Sequence, residues 1–141
     1  AALHQALRRR LPHEAPAIAR AAGLATGDYI LAHRIPTPAQ ALLRLMPARF
    51  AAPILSRAIA KHAWTFAGSG RFEIEALRPP VFLIHDNPVV RGEASDVPLC
   101  HWHAAVFERL FRTLVSRGAT VTETACCAQG APACRFSLRL R

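Results

Sequence analysis

The spacing of the apolar residues changes partway along this chain, and that change constrains the fold more than any other feature. Up to Phe66 apolar residues recur every three or four positions. From Phe72 to Ala76 they recur at every second position, with "GSG" (Gly68 to Gly70) between the two regimes. The first spacing is that of a helix with one buried face, the second that of a strand with one buried face. With 141 residues, 52% of them hydrophobic and 19% charged, the chain is long and apolar enough to bury a core. The expected fold class is α+β: helices packed on an antiparallel sheet.

The punctuation fills in the elements. "ALHQALRRRL" puts Leu3, Leu7 and Leu11 at four-residue spacing, and Pro12 ends it. Residues 13–22 read as a short helix stopped by Gly23, and 27–33 as a short helix or turn. "PTPAQALLRLM" starts a helix at Pro38, closed by Pro47. The longest helix is expected over 50–66. Its face carries Ile54, Leu55, Ala58, Ile59, Ala63 and Phe66, with His62 on the same side. Phe72, Ile74 and Ala76 then alternate with charged residues as a half-wet strand, and 81–85 is a short buried one. "DNPVVRGEASDVP" is a loop by composition. Residues 100–116 form a helix, and 121–127 and 134–140 a hairpin around "AQGAPA". One domain is expected over 1–141, helical over about 1–66 and sheet-forming over about 71–141. The chain opens on Ala1 rather than Met, which leaves room for an upstream segment.

The formal net charge is +9, almost all from arginine; Lys61 is the one lysine. An anionic partner would suit such a charge, and so would compositional drift toward Arg and Ala. The arginines are scattered from Arg8 to Arg141, and only Arg8, Arg9 and Arg10 are contiguous. No basic stripe interleaved with aromatic residues stands out, so nucleic acid is not an expected partner, and drift is the preferred account of most of the charge. No apolar run reaches the roughly eighteen residues that a spanning helix needs. Nor does a charged segment lead into an apolar one with a cleavage site. A cytoplasmic location is expected, with at most peripheral contact with a membrane.

Three of the four cysteines fall within "CCAQGAPAC". A reducing compartment disfavours disulfides. Adjacent Cys126 and Cys127 would face opposite sides of a strand, so one of them is expected to be a small buried residue. A hairpin sets Cys126 beside Cys134. Glu123 is one position out of phase with Cys126 and joins it only if the strand bulges or ends there. Cys100 opens a helix, where unpaired amides favour a thiolate. Cys100, Glu123, Cys126 and Cys134 would form a closed set of three sulfurs and one oxygen suited to Zn²⁺. A cluster of buried thiols without metal is an equal alternative on spacing alone.

The intervals of 23, 3 and 8 residues in that series resemble the metal site of the 4-vinyl reductase domain family. The stretches "GDYILAHRIP", "AIAKHAWTFAGSGRF", "CHWHAAVFERLF" and "ETACCAQGAPACRF" are similar to the branch of that family labelled bacteriochlorophyll 4-vinyl (8-vinyl) reductase. The likeness runs from about Ala21 to the end, and the cysteine pattern is its most specific part. The resemblance implies a ligand cavity between helices and sheet, commonly a homodimer, and bound aromatic molecules, lipids or tetrapyrroles. It also implies that Cys100, Glu123, Cys126 and Cys134 hold a structural Zn²⁺, with Cys127 the spare.

A reductase needs an electron source. "AGSGRF" follows a helix and lacks the third glycine of a dinucleotide fingerprint. Three cysteines committed to zinc leave too few for an iron–sulfur cluster. The expectation is therefore a carrier that binds a Mg-tetrapyrrole and presents it to bacteriochlorophyll pathway enzymes, at or near the photosynthetic membrane, with no catalytic residue assigned. A vinyl reductase fed by an external donor and a small-aromatic sensor are the alternatives. For the carrier, His62 is the candidate axial ligand of the Mg²⁺. Trp64, Phe66 and Phe72 are candidate stacking partners, and Arg71 or Arg34 candidate partners of a propionate. The competing reading makes His62 a core histidine and the aromatics core residues. His101 and His103 read as a first helical turn with one member buried. His85 and Asp86 point apart on a strand and carry no dyad.

Overall fold

The computed structural model describes residues 2–62 and 70–140. Among the described residues four helices come first: α1 (Ala2–Arg10), α2 (Ala15–His33), α3 (Thr37–Leu45) and α4 (Ala48–Lys61). Strands β1 (Arg71–Leu77) and β2 (Pro80–His85), helix α5 (His101–Leu114), and strands β3 (Thr120–Ala125) and β4 (Ala133–Arg139) follow. A single 3-10 turn, Cys127–Gln129, joins β3 to β4. The strands form one antiparallel sheet in the order β1-β2-β4-β3. The α+β expectation holds, with two hairpins joined through the β2–β4 pair.

One face of the sheet is the core. Phe82 and Ile84 of β2 and Cys134, Phe136 and Leu138 of β4 are fully buried. They meet Val106, Phe107, Leu110, Phe111 and Leu114 of α5, and Leu55 and Ile59 of α4. Ring centroids lie 5.1 Å apart for Phe82 and Phe107 and 5.4 Å for Phe107 and Phe136, with the rings edge to face. This stretch of the helix–sheet interface, where the resemblance implies a cavity, is filled by aromatic rings. The opposite face is polar: Arg135 pairs with Glu75 at 2.7 Å and His85 with Glu73 at 2.8 Å. The period-two alternation thus marks a real division into a dry and a wet face.

The helical half departs from expectation at α2. Gly23 does not stop a helix and Gly27 does not open a new one; both lie inside one helix of 19 residues. Their role is spacing. A Cβ on Gly23 would sit 2.4 Å from the Trp102 carbonyl oxygen and 2.7 Å from Ala105 Cβ, and one on Gly27 2.8 Å from Arg109 Cβ. Only hydrogen in place of a side chain lets α2 lie this close on α5, and that contact offsets the low helix propensity of glycine.

α4 is also rotated from its expected setting. Ala51, Ala52, Leu55, Ser56 and Ile59 are buried, whereas Ile54 and Ala58 are exposed. The helix ends at Lys61, and His62 is its C-cap and exposed rather than part of a buried stripe. The expected continuation to Phe66 lies outside the described residues.

Candidate metal centre

Four elements bring the expected donors together. Cys100 is the N-cap of α5. Glu123 comes from β3, Cys126 from the residue before the 3-10 turn, and Cys134 from β4. Their ligand atoms all lie within 4.8 Å of one another. The Sγ atoms of Cys100 and Cys134 are 3.5 Å apart, and those of Cys134 and Cys126 4.0 Å. A disulfide would need about 2.05 Å. Tetrahedral thiolates at ~2.3 Å from Zn²⁺ stand ~3.8 Å apart, which matches.

Of the two irregularities that would bring Glu123 into phase, a bulge or a strand end, the bulge is present: the β3–β4 register shifts between Glu123 and Ala125. It turns the Glu123 carboxylate toward the cysteines. Glu123 Oε1 accepts the backbone N–H of Cys100 at 2.8 Å. Its other oxygen, Oε2, is buried with no hydrogen-bond partner, which leaves an uncompensated acceptor aimed into a cluster of thiols. A cation would satisfy that oxygen, and the donor set fits Zn²⁺ in both chemistry and spacing.

The electrostatics point the same way. Burial, followed by the nearby Cys126 sulfur, pushes the Glu123 carboxyl up to about 8. Hydrogen bonds to Cys126 and Cys134, reinforced by burial, raise the Cys100 thiol far above its ordinary range. Those from Cys100 and Cys134 draw Cys126 down toward the thiolate. Four such groups share few negative charges without a cation; a dication lets all of them ionise, with release of protons.

One residue of the centre carries no signal in the sequence. Asn87, fully buried, donates from Nδ2 to Cys100 Sγ at 3.3 Å and toward Cys134 Sγ at 3.7 Å. Its Oδ1 accepts the Val89 N–H at 3.1 Å, which fixes the amide orientation. The Cys127 backbone N–H donates to Cys134 Sγ at 3.3 Å. These donors stabilise thiolate charge and orient the sulfurs. Asn87 sits in a segment whose composition reads only as loop; nothing short of the folded structure places it over two sulfurs. Cys127 is half-buried, with its sulfur 4.0 Å from the Ile84 carbonyl and outside the donor set. A cleft of about 470 Å³, lined in part by Pro16, Arg20, His101, Cys100 and Glu123, opens onto one side of the centre.

The other candidate residues lie elsewhere. His62 caps α4 and Arg71 opens β1, both exposed; Arg71 faces Glu73 at 3.6 Å. Phe72 is half-buried, its ring 5.2 Å from Phe82 and 6.2 Å from Phe107. Arg34 is the exposed C-cap of α2, on a different helix. Trp64 and Phe66 lie outside the described residues. His103 is fully buried near Phe136 while His101 is half-buried, the division expected for a first helical turn.

Known proteins resemble this chain in sequence and in fold. The family model of the 4-vinyl reductase domain matches residues 80–140, the stretch from β2 to β4 that holds all four donors. The "Bacteriochlorophyll synthase 23 kDa chain" of Cereibacter sphaeroides is 64% identical over 136 residues, covering 96% of this chain and 66% of that protein. The protein of the same name from Rhodobacter capsulatus is 52% identical over 137 residues, covering 97% and 64%. The chain thus spans just under two thirds of the length of these relatives. Among solved structures, the phenol-responsive sensory domain of the transcription activator PoxR superposes with a TM-score of 0.65 at 18% identity, over 97% of this chain and 70% of that one. That likeness is one of fold.

Proposed function

Since the chain belongs to the 4-vinyl reductase domain family, we propose that it is a tetrapyrrole-binding unit of bacteriochlorophyll biosynthesis, with a structural Zn²⁺ on Cys100, Glu123, Cys126 and Cys134. The observation that carries the pathway is the 64% identity, over 96% of this chain, to a protein named as a bacteriochlorophyll synthase chain. The chemistry of the site favours carriage over catalysis. A centre with four protein donors has no open position for substrate, so the metal would hold the corner of the sheet rather than turn over a reactant. The sequence offers no dinucleotide fingerprint to feed a reduction.

In this reading a Mg-porphyrin or chlorophyllide-type intermediate binds at the joint between α4 and β1. His62 supplies the axial imidazole, and Trp64, Phe66 and Phe72 the stacking surface. Arg71, or Arg34 from α2, takes a propionate. The exposed setting of His62 favours this over a core histidine, because the imidazole is within reach of a ligand. The cavity between helices and sheet would be completed at this edge. The unit would act as a single domain, as a homodimer, on the cytoplasmic side of the photosynthetic membrane, handing cargo to pathway enzymes.

The test is an absorbance and fluorescence titration of zinc-assayed protein with Mg-protoporphyrin, without reductant. Saturable binding with a shifted Soret band, weakened at least severalfold by His62→Ala, is the expected result. Absence of binding by folded, zinc-loaded protein would overturn the carrier reading. Loss of the vinyl signal only after reductant is added would replace it with a reductase.

A further inference from the structure

The net charge of +9 is not spread as evenly as a scatter of arginines suggests. Between Asp28 and Glu73 the chain holds no acidic residue at all, yet it carries Arg34, Arg44, Arg49, Arg57, Lys61 and Arg71. The remainder balances far more closely. Arg8 pairs with Glu93, Arg20 with Glu108, Arg91 with Asp86, Arg109 with Asp28 and Arg135 with Glu75. Arg34, Arg44, Arg49, Arg57 and Lys61 are all exposed, and none forms an ion pair among the described residues. Compositional drift accounts for many arginines; it does not account for a stretch that holds six cations and no carboxylate.

The same stretch presents large apolar side chains to water. Leu45 is 85% exposed, Leu42 62%, and Phe50 and Ile54 44% each. Leu45 and Phe50 flank the short turn between α3 and α4. On α4, Phe50, Ile54, Arg57 and Lys61 follow one another at spacings of four, three and four residues, which places them on one face. That face is opposite to the one that buries Leu55 and Ile59. The Arg49 guanidinium lies 4.8 Å from the centre of the Phe50 ring, so charge and apolar surface are interleaved rather than segregated.

We propose that the outward face of α3 and α4 docks on the surface of an anionic lipid bilayer, with Leu42, Leu45, Phe50 and Ile54 in the acyl boundary and the cations among the headgroups. Interfacial helices need both components, apolar area and basic charge. A nucleic-acid phosphate would use the arginines and gain nothing from two exposed leucines. A second copy of this chain would set the same acid-free cations against themselves across a two-fold axis, which repels. No helix of the described residues is long and apolar enough to cross a membrane, and this mode of attachment requires none. The inference does not rest on the tetrapyrrole reading.

The test is co-sedimentation of the purified chain with vesicles of phosphatidylcholine alone and of phosphatidylcholine mixed with phosphatidylglycerol, at low and high salt. Two double variants accompany it: Arg49→Glu with Arg57→Glu, and Leu42→Ser with Leu45→Ser. All four positions are exposed, so metal content and thermal unfolding should match the parent and vouch for the fold. Binding to the mixed vesicles only, weakened by salt, is expected. The charge reversal should lower it by more than tenfold, at about fivefold for each basic residue near the surface. The leucine pair should lower it severalfold and abolish the part that survives high salt. No binding to mixed vesicles, or equal binding to neutral ones, would overturn the proposal. So would a leucine variant that binds like the parent and is retained equally on a polyglutamate column, which would make the face a general polyanion binder.

Discussion

The corner formed by Cys100, Glu123, Cys126 and Cys134 and the joint between α4 and β1 are both marked by unusual residues in the sequence, yet the fold treats them differently. At the corner each donor comes from a different element and is held by its own buried neighbours: a helix cap, a bulged strand, a 3-10 turn and a second strand. Asn87 and the Cys127 amide point at the sulfurs before any ion is considered. At the joint, His62 and Arg71 are exposed ends of two elements, and Phe72 is held by its contacts with Phe82 and Phe107. A site assembled from locked side chains suits a permanent structural ion, and one left at element ends suits a cargo that must come and go. A similar contrast separates paired arginines such as Arg20 and Arg135 from the cations of α3 and α4, which form no ion pair among the described residues.

If that difference is real, the corner should break the fold and the joint should not. The largest effect is expected from Cys134→Ser. It should abolish stoichiometric metal and cost on the order of 4 kcal/mol of stability, the value for a ligand a thousandfold above its dissociation constant. Treatment of the parent with a strong chelator should lower its thermal midpoint to a similar extent. A midpoint indifferent to both would remove the structural metal from the account.

Gly23→Ala comes next. The added Cβ meets the Trp102 backbone, which cannot yield locally. A loss of about 1–3 kcal/mol is expected, and with it weaker metal binding, since α5 carries Cys100. Unchanged denaturant midpoints would mean that α2 and α5 are not tightly packed. Asn87→Ala should leave the protein folded but lower metal affinity about 10- to 100-fold, read by competition with a chromogenic chelator; a wild-type affinity would reduce Asn87 to a loop residue. The smallest effects on the fold are expected from Cys127→Ser and His62→Ala. Both should retain full metal and unfold within about 0.5 kcal/mol of the parent. Metal loss in the first would show the wrong cysteine to be the spare, and a large destabilisation in the second would return His62 to the core.

Much of the centre is legible in the sequence because its constraints are local and chemical. Cysteine and glutamate are among the few side chains that ligate zinc, and a hairpin necessarily sets Cys126 near Cys134. The need for a bulge or a strand end at Glu123 follows from strand alternation alone. Asn87 is not legible, because an amide in a loop becomes a sulfur donor only when the chain between β2 and α5 folds over the cluster. The glycines of α2 mislead for a related reason: propensity reads Gly23 as a stop and Gly27 as the start of a new element, and the packing of α5 against them overrides propensity.

By itself, the sequence determined the division into a helical and a sheet half, the alternation of dry and wet strand faces, and Cys100, Glu123, Cys126 and Cys134 as a candidate donor set. Each of these depends on backbone periodicity or on side-chain chemistry, which act over a few residues. Only the tertiary structure decided how closely α2 approaches α5, which face of α4 is turned inward, and that His62 ends a helix in solvent. It also decided that the arginines near carboxylates are paired while those of α3 and α4 are not. These outcomes depend on which distant surfaces meet, and burial is settled by the whole packed molecule rather than by any one stretch.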